Sequence, residues 1–245
     1  MIPTINGAVD IRTLIMFGVV AIVSLTLHEF AHAWVAVRNG DITPQVQGRL
    51  TLNPRSHIDP IGFVALIIAG FGFAKPVEVN PLNFRNRRLG SFCVAIAGVT
   101  VNFALMIVSV FLATLCQKMA FDSYGSAFDI WVFFFEFFSI LATVNIFLVF
   151  FNLLPIAPLD GFRLISSLTR ASNKFVQFMQ EYGSYILVFL ILASIVVNRV
   201  PQMPSYFDLL GTYLQFFGGN VLQFFAAIFR LVFYGEWVFV YITPW

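Results

Sequence analysis

Apolar runs constrain this chain more than any other feature. They lie at about 11–37, 91–116, 131–154, 183–198 and 205–243, each long enough to span a bilayer, the last interrupted by Gly218-Gly219-Asn220. Only 11% of the residues are charged and 59% are hydrophobic, whereas soluble domains carry about 25% charged residues. The chain therefore reads as an α-helical integral membrane protein. The first run nevertheless holds His28, Glu29 and His32 in the stretch SLTLHEFAHAW. An ionisable side chain at the bilayer centre costs roughly 2.5 kcal/mol or more, so three within five residues require compensation, which a bound metal would supply.

A shorter run, 58–73, contains Pro60, Gly62, Gly70 and Gly72. If it only dips into the bilayer, Arg38, Arg49, Arg55, Lys75, Arg85, Arg87, Arg88, Arg163, Arg170 and Lys174 share one side, and Lys118 and Arg199 take the other. A full crossing would scatter these charges almost evenly. The positive-inside bias therefore favours a re-entrant segment. The expected architecture is about six transmembrane helices with a re-entrant segment. The period-two patterns in 46–53 and 76–80 add short membrane-associated β-strands. Trp34, Trp131, Trp237 and Trp245 lie where interfacial anchors are expected. Cys93 and Cys116 would sit about 35 Å apart on one helix and offer neither a disulfide nor a cysteine zinc site. The first run is too long for a signal peptide and is expected to remain. The net charge of +2 gives no indication of nucleic acid as a partner.

His28-Glu29-Phe30-Ala31-His32 is an H-E-x-x-H pattern. Its histidines, four apart on one helical face, can chelate one Zn2+, and the glutamate beside the first can reach a metal-bound water. The bland alternative is a pair of satisfied core histidines. A catalytic zinc takes a third protein ligand. Asp160 follows an apolar run in NLLPIAPLDGFRL, where it is either that ligand or the N-cap of a helix starting at Phe162. Topology decides between them: with 58–73 re-entrant, Asp160 emerges on the face toward which His28 and His32 point. His57 is more simply a loop histidine bonded to nearby backbone than a ligand. Asn102 and Asn145 read as structural, and Glu136 as a snorkelling or pore-lining charge.

The chain resembles the site-2 protease family of intramembrane zinc metalloproteases, peptidase family M50, in a minimal form without extra soluble domains. The resemblance rests on HEFAH (28–32), GRLTLNPRSHIDPIG (48–62), KPVEVNP (75–81), AGVTVNF (97–103) and NLLPIAPLDG (152–161). Val99 and Ala157 stand where the family commonly has proline, which affects backbone shape rather than ligation. The resemblance implies His28, His32 and Asp160 as zinc ligands, Glu29 as catalytic base and Asn152 as an aid at the oxyanion. It implies a single polytopic protease domain over 1–245, with a catalytic core at about 11–170 and C-terminal transmembrane helices at about 171–245. The expected partners are the lipid bilayer and a transmembrane protein or peptide substrate. The expected location is a bacterial inner (plasma) membrane, with the active site toward the cytoplasm. Two rivals remain: a zinc protease completed by Glu181, and a zinc-binding membrane chaperone or pseudoprotease that binds without cleaving. A transporter fits less well, because no repeated halves are visible.

Overall fold

A computed structural model describes residues 4–5, 8–170, 172–200, 203–204 and 207–234. Its helices are α1 (Ile11–Arg38), α2 (Thr43–Val46), α3 (Pro60–Ala69), α4 (Arg87–Phe121), α5 (Ser126–Asn152), α6 (Asp160–Leu168), α7 (Lys174–Arg199), α8 (Leu209–Leu214) and α9 (Asn220–Tyr234). Polar caps set where several of them begin. Asp59 accepts the amides of Ile61 and Gly62 at 2.9 Å with Pro60 in the first turn, and Asn86 accepts that of Leu89 at 3.1 Å. Gly70, at φ 78°, ends α3 in the left-handed conformation that glycine adopts without strain.

Five helical stretches among the described residues are long and apolar enough to cross a membrane: α1, α4, α5, α7 and the continuous Leu209–Tyr234. This corrects the expected count of about six. The glycine pair read as an interruption is absorbed in a π-helical turn, Gln215–Gly219, that joins α8 to α9 without a break. Trp237 and Trp245 lie outside the described residues, as does the end of the last apolar run. With ten residues, α3 is about 15 Å long, half of a hydrocarbon core of about 30 Å.

The strands expected at 46–53 and 76–80 are not formed. Val46 closes α2, Gly48 turns the chain at φ 68°, and Asn53 caps a 3₁₀ turn over Pro54–Ser56. Segment 76–80 does alternate, with Val77 buried and Glu78 exposed. It is extended backbone without a partner strand, because its amides bond to side chains: Val77 to Glu29 at 3.0 Å and Asn80 to Asp41 at 2.7 Å. Strand pairing among the described residues is confined to Thr4–Ile5 with Ala8–Val9 and an isolated bridge, Ile58 to Ala74.

Helix α4 runs antiparallel to α1, since His32 meets Val94 and His28 meets Gly98. Helix α5 runs parallel to α1: Met16 packs with Ile140, and Asn145 donates to Ser24 at 2.9 Å. The parallel run of α1 and α5 delivers the chain after α5 to the histidine end of α1. The main apolar core joins α4, α5 and α9 through Met106, Val110, Ala142, Ile146, Val149, Leu222 and Ala226. Helix α7 braces the Asp160 segment, with Leu187 against Ile156 and Leu159, and Val176 against Ala157 and Phe162.

Candidate metal centre

The fourfold spacing of His28 and His32 turns both rings to one side of α1, and the turn after Leu153 brings Asp160 to meet them. His28 Nε2 lies 3.1 Å from His32 Nε2, and Asp160 Oδ2 lies 3.2 Å from the first and 3.1 Å from the second. All three residues are buried, at 3–4% exposure. A tetrahedral zinc ion with bonds of about 2.0–2.1 Å sets its ligand atoms about 3.3 Å apart, close to each edge of this triangle. Asp160 Oδ2 has no hydrogen-bond partner, and α6 begins at Asp160 itself with Leu159 at the cap position. The carboxylate therefore does not cap the helix. His32 Nδ1 donates to the Val94 carbonyl at 2.7 Å, which leaves the Nε2 lone pair for a metal. A buried oxygen without a donor, facing two imidazole nitrogens at ligand spacing, fits a zinc ion.

Glu29, also buried, is held by the Val77 amide at 3.0 Å. Asn152 ends α5 and donates to its own helix, at the Leu148 carbonyl, 3.0 Å away, so the structure does not bond it to the triad. His57 is fully buried with Nε2 at 2.8 Å from the Thr51 carbonyl, a loop histidine bonded to nearby backbone as expected. Glu136 pairs with Arg12 at 2.9 Å. Glu181 is exposed and stands outside the group of His28, His32 and Asp160, the one cluster among the described residues placed to hold a metal ion. Asn102 is fully buried one helical turn beyond Gly98, and neither end of its amide has a partner. A cavity of ≈ 460 Å³, lined by Phe17, Leu66, Phe147, Asn198 and Asp208 among others, is separate from this centre; none of His28, His32 and Asp160 lines it.

Two contributors carried no signal beyond their place in a motif. One is the Val77 backbone amide, which no side-chain pattern reports. The other is Gly98: a Cβ there would lie 2.5 Å from His28 Cε1 and 2.6 Å from both ring nitrogens. Only a residue without a side chain lets α4 lie flat on the imidazole. Gly98→Ala is expected to displace the ring and weaken zinc affinity about 10- to 100-fold, the range for losing an outer partner of a metal ligand. Competition with a chelator measures this, and unchanged affinity would show that the ring has room.

Comparison with known proteins agrees with the geometry. The model of peptidase family M50 matches residues 119–194, which include Asn152 and Asp160. The "Putative zinc metalloprotease YwhC" of Bacillus subtilis is 38% identical over 212 residues, 85% of this chain and 90% of that protein. The "Putative zinc metalloprotease Rip2" of Mycolicibacterium smegmatis is 30% identical over 239 residues, 91% of this chain and 88% of its own length. Its namesake in Mycobacterium tuberculosis is 33% identical over 192 residues, 76% of this chain and 67% of that protein. No solved structure matches. Relatives similar over nearly their whole length, together with helices apolar enough to cross a membrane, establish that the chain belongs to peptidase family M50 and is a membrane metalloprotease.

Proposed function

We propose that the protein hydrolyses peptide bonds within or beside transmembrane segments of membrane-protein substrates, with His28, His32 and Asp160 as the zinc ligands and Glu29 as the base. The observation that carries this reading is the ligand triangle built on an apolar helix, with Glu29 adjacent and anchored at Val77. A zinc ion held there supplies Lewis acidity to a water nucleophile and to the carbonyl under attack. Glu29 takes the proton from the water and returns it to the leaving amine. Asn152 is assigned to the oxyanion, which requires its amide to leave Leu148. Helical substrate backbone is shielded by its own hydrogen bonds, so it must unwind before it reaches the centre.

The functional unit is one polytopic domain, with its catalytic core at about 11–170 and C-terminal helices beyond. Segment 58–73, with α3 too short to cross, is re-entrant. Arg38, Arg49, Arg55, Lys75, Arg85, Arg87, Arg88, Arg163, Arg170 and Lys174 then face the cytoplasm of a bacterial inner membrane, with Lys118 and Arg199 on the other side, and the ligand triad opens toward the cytoplasm. A binder that does not cleave, the alternative reading, would survive loss of Glu29.

The test uses purified protein in liposomes and a single-pass substrate with a Gly-Pro pair in its helix. Cleavage within that helix is expected, stopped by a zinc chelator and restored by zinc. Cysteines placed singly at Asn53, Asn86 and Ser172, with Cys93 and Cys116 replaced, should all be labelled from the cytoplasmic face. Cleavage that persists in chelator contradicts the metal mechanism. Labelling at Asn86 from outside contradicts the re-entrant topology.

A further inference from the structure

Asp41 is an acid with no cationic partner among the described residues, yet it is fully buried just past the end of α1. Its side chain is instead surrounded by donors. Oδ1 accepts the Thr43 amide at 3.1 Å, the Thr43 hydroxyl at 2.6 Å and the Asn83 side-chain amide at 2.8 Å; Oδ2 accepts the Asn80 amide at 2.7 Å. Burial pushes the carboxyl up, but these bonds together pull it further down, so it lies below the ordinary carboxylate value and stays ionised. A buried anion satisfied by neutral donors alone is costly to assemble, and each bond to it is stronger than one between neutral groups.

The donors come from two separate parts of the chain. Thr43 lies two residues after Asp41, whereas Asn80 ends the extended segment that crosses the end of α1 and Asn83 ends the 3₁₀ turn, Pro81–Asn83, that follows it. Four backbone amides fix that segment: Lys75 N to the His57 carbonyl at 2.7 Å, Val77 N to Glu29, Asn80 N to Asp41, and Arg85 N to the Asn39 carbonyl at 3.0 Å; at its exposed edge the Gln47 side chain also donates to the Glu78 carboxylate at 2.7 Å. Val79 packs beneath it against the cluster of Ala36, Phe84 and Val94. Of the four backbone anchors, the bond to Asp41 is the one nearest to Val77 on its C-terminal side, three residues away, and unlike the exposed Gln47–Glu78 contact it is made to a fully buried carboxylate.

We propose that Asp41 is a positioning residue for Glu29: by holding Asn80 it fixes the extended strap whose Val77 amide orients the Glu29 carboxylate. The inference rests on the reading of Glu29 as the base. Asp41 touches neither substrate nor metal. Its loss loosens the strap between Val77 and Arg85, and Glu29 then samples orientations in which its oxygen no longer faces the water it must deprotonate. Zinc ligation is separate, since neither the strap nor Asp41 contacts His28, His32 or Asp160 through a hydrogen bond or ion pair in the structure.

The experiment compares Asp41→Asn, Asn83→Ala, Val77→Pro, Glu29→Gln and the wild type, full-length in detergent, using the Gly-Pro single-pass substrate. Asp41→Asn puts an amide group where one of the accepted donors points. It should lower kcat about 10- to 100-fold, the scale on which remote misplacement acts, with KM and zinc content unchanged. Asn83→Ala, which removes one donor to Asp41 and spares the carboxylate, should show a smaller loss of the same kind. Val77→Pro removes the donor itself, so adding Asp41→Asn to it should cause little further loss. Hydrogen exchange over residues 76–80 should quicken in Asp41→Asn while the rest of the chain keeps wild-type exchange. Wild-type kcat in Asp41→Asn, or losses that multiply in the double variant, overturns the inference and leaves the role of Glu29 intact. A cleaving Glu29→Gln overturns that role, and the inference with it.

Discussion

Glu29→Gln is expected to retain zinc and lose cleavage, with kcat down by about 10²- to 10⁴-fold, the usual contribution of a positioned general base. The substitution is nearly isosteric and changes one property, the ability to take and return a proton. The Val77 amide can still donate to the Gln side-chain oxygen, so the strap keeps its contact. The ligand triangle is built from other side chains and should be unaffected. Cleavage with trapped zinc in wild type and variant measures the effect. Activity within tenfold of wild type would mean that another group handles the proton. Loss of zinc together with activity would mean that Glu29 supports ligation.

Asp160→Asn should have an effect of comparable size on a different quantity. Asp160 Oδ2 closes the triangle and has no hydrogen-bond partner of its own, so no other interaction of this atom keeps a metal in place once its charge is gone. The variant keeps the shape of the side chain and its place at the start of α6. Zinc affinity should fall more than about 100-fold, beyond the range seen when only an outer partner is removed. Because a ligand that binds the folded state stabilises it, zinc at 1,000 times its Kd should add about 4 kcal/mol to wild-type stability. Thermal unfolding in detergent, with and without zinc, reads this directly. The expected result is a zinc-dependent rise in Tm for wild type and Glu29→Gln and a much smaller one for Asp160→Asn, where a 100-fold weaker site gains at most about 1.4 kcal/mol at the same zinc concentration. An equal rise in all three would remove Asp160 from the ligand set.

Much of the candidate site was legible in the sequence because its chemistry is carried by side chains that are out of place in lipid. His28, Glu29 and His32 declare themselves by cost alone, and the spacing of the histidines determines that they share a face. Asp160 was reachable through charge counting along the chain, a long-range argument that needed only the number of crossings between it and α1. What stayed hidden is carried by backbone or by the lack of a side chain. The Val77 amide and the room above Gly98 leave no mark in residue type. Nothing in the residue types beside Asp41 reports the four donors that surround it.

The two errors of fold have related causes. Alternation at 76–80 correctly reports extended backbone with one face inward, but period two says nothing about what the amides bond to, and here carboxylates replaced a partner strand. The glycine pair at 218–219 has the composition of a break. Within a helix packed against Phe147 and Phe150 it instead forms a wider turn, and one span takes the place of two.

The central claim is that His28, His32 and Asp160 together hold one zinc ion. Metal analysis of purified protein across wild type, Glu29→Gln, His28→Ala, His32→Ala and Asp160→Asn tests it most directly. The account predicts one zinc per chain in the first two and little or none in the other three, each still folded by circular dichroism. Stoichiometric zinc in folded Asp160→Asn, or in either histidine variant, would contradict it.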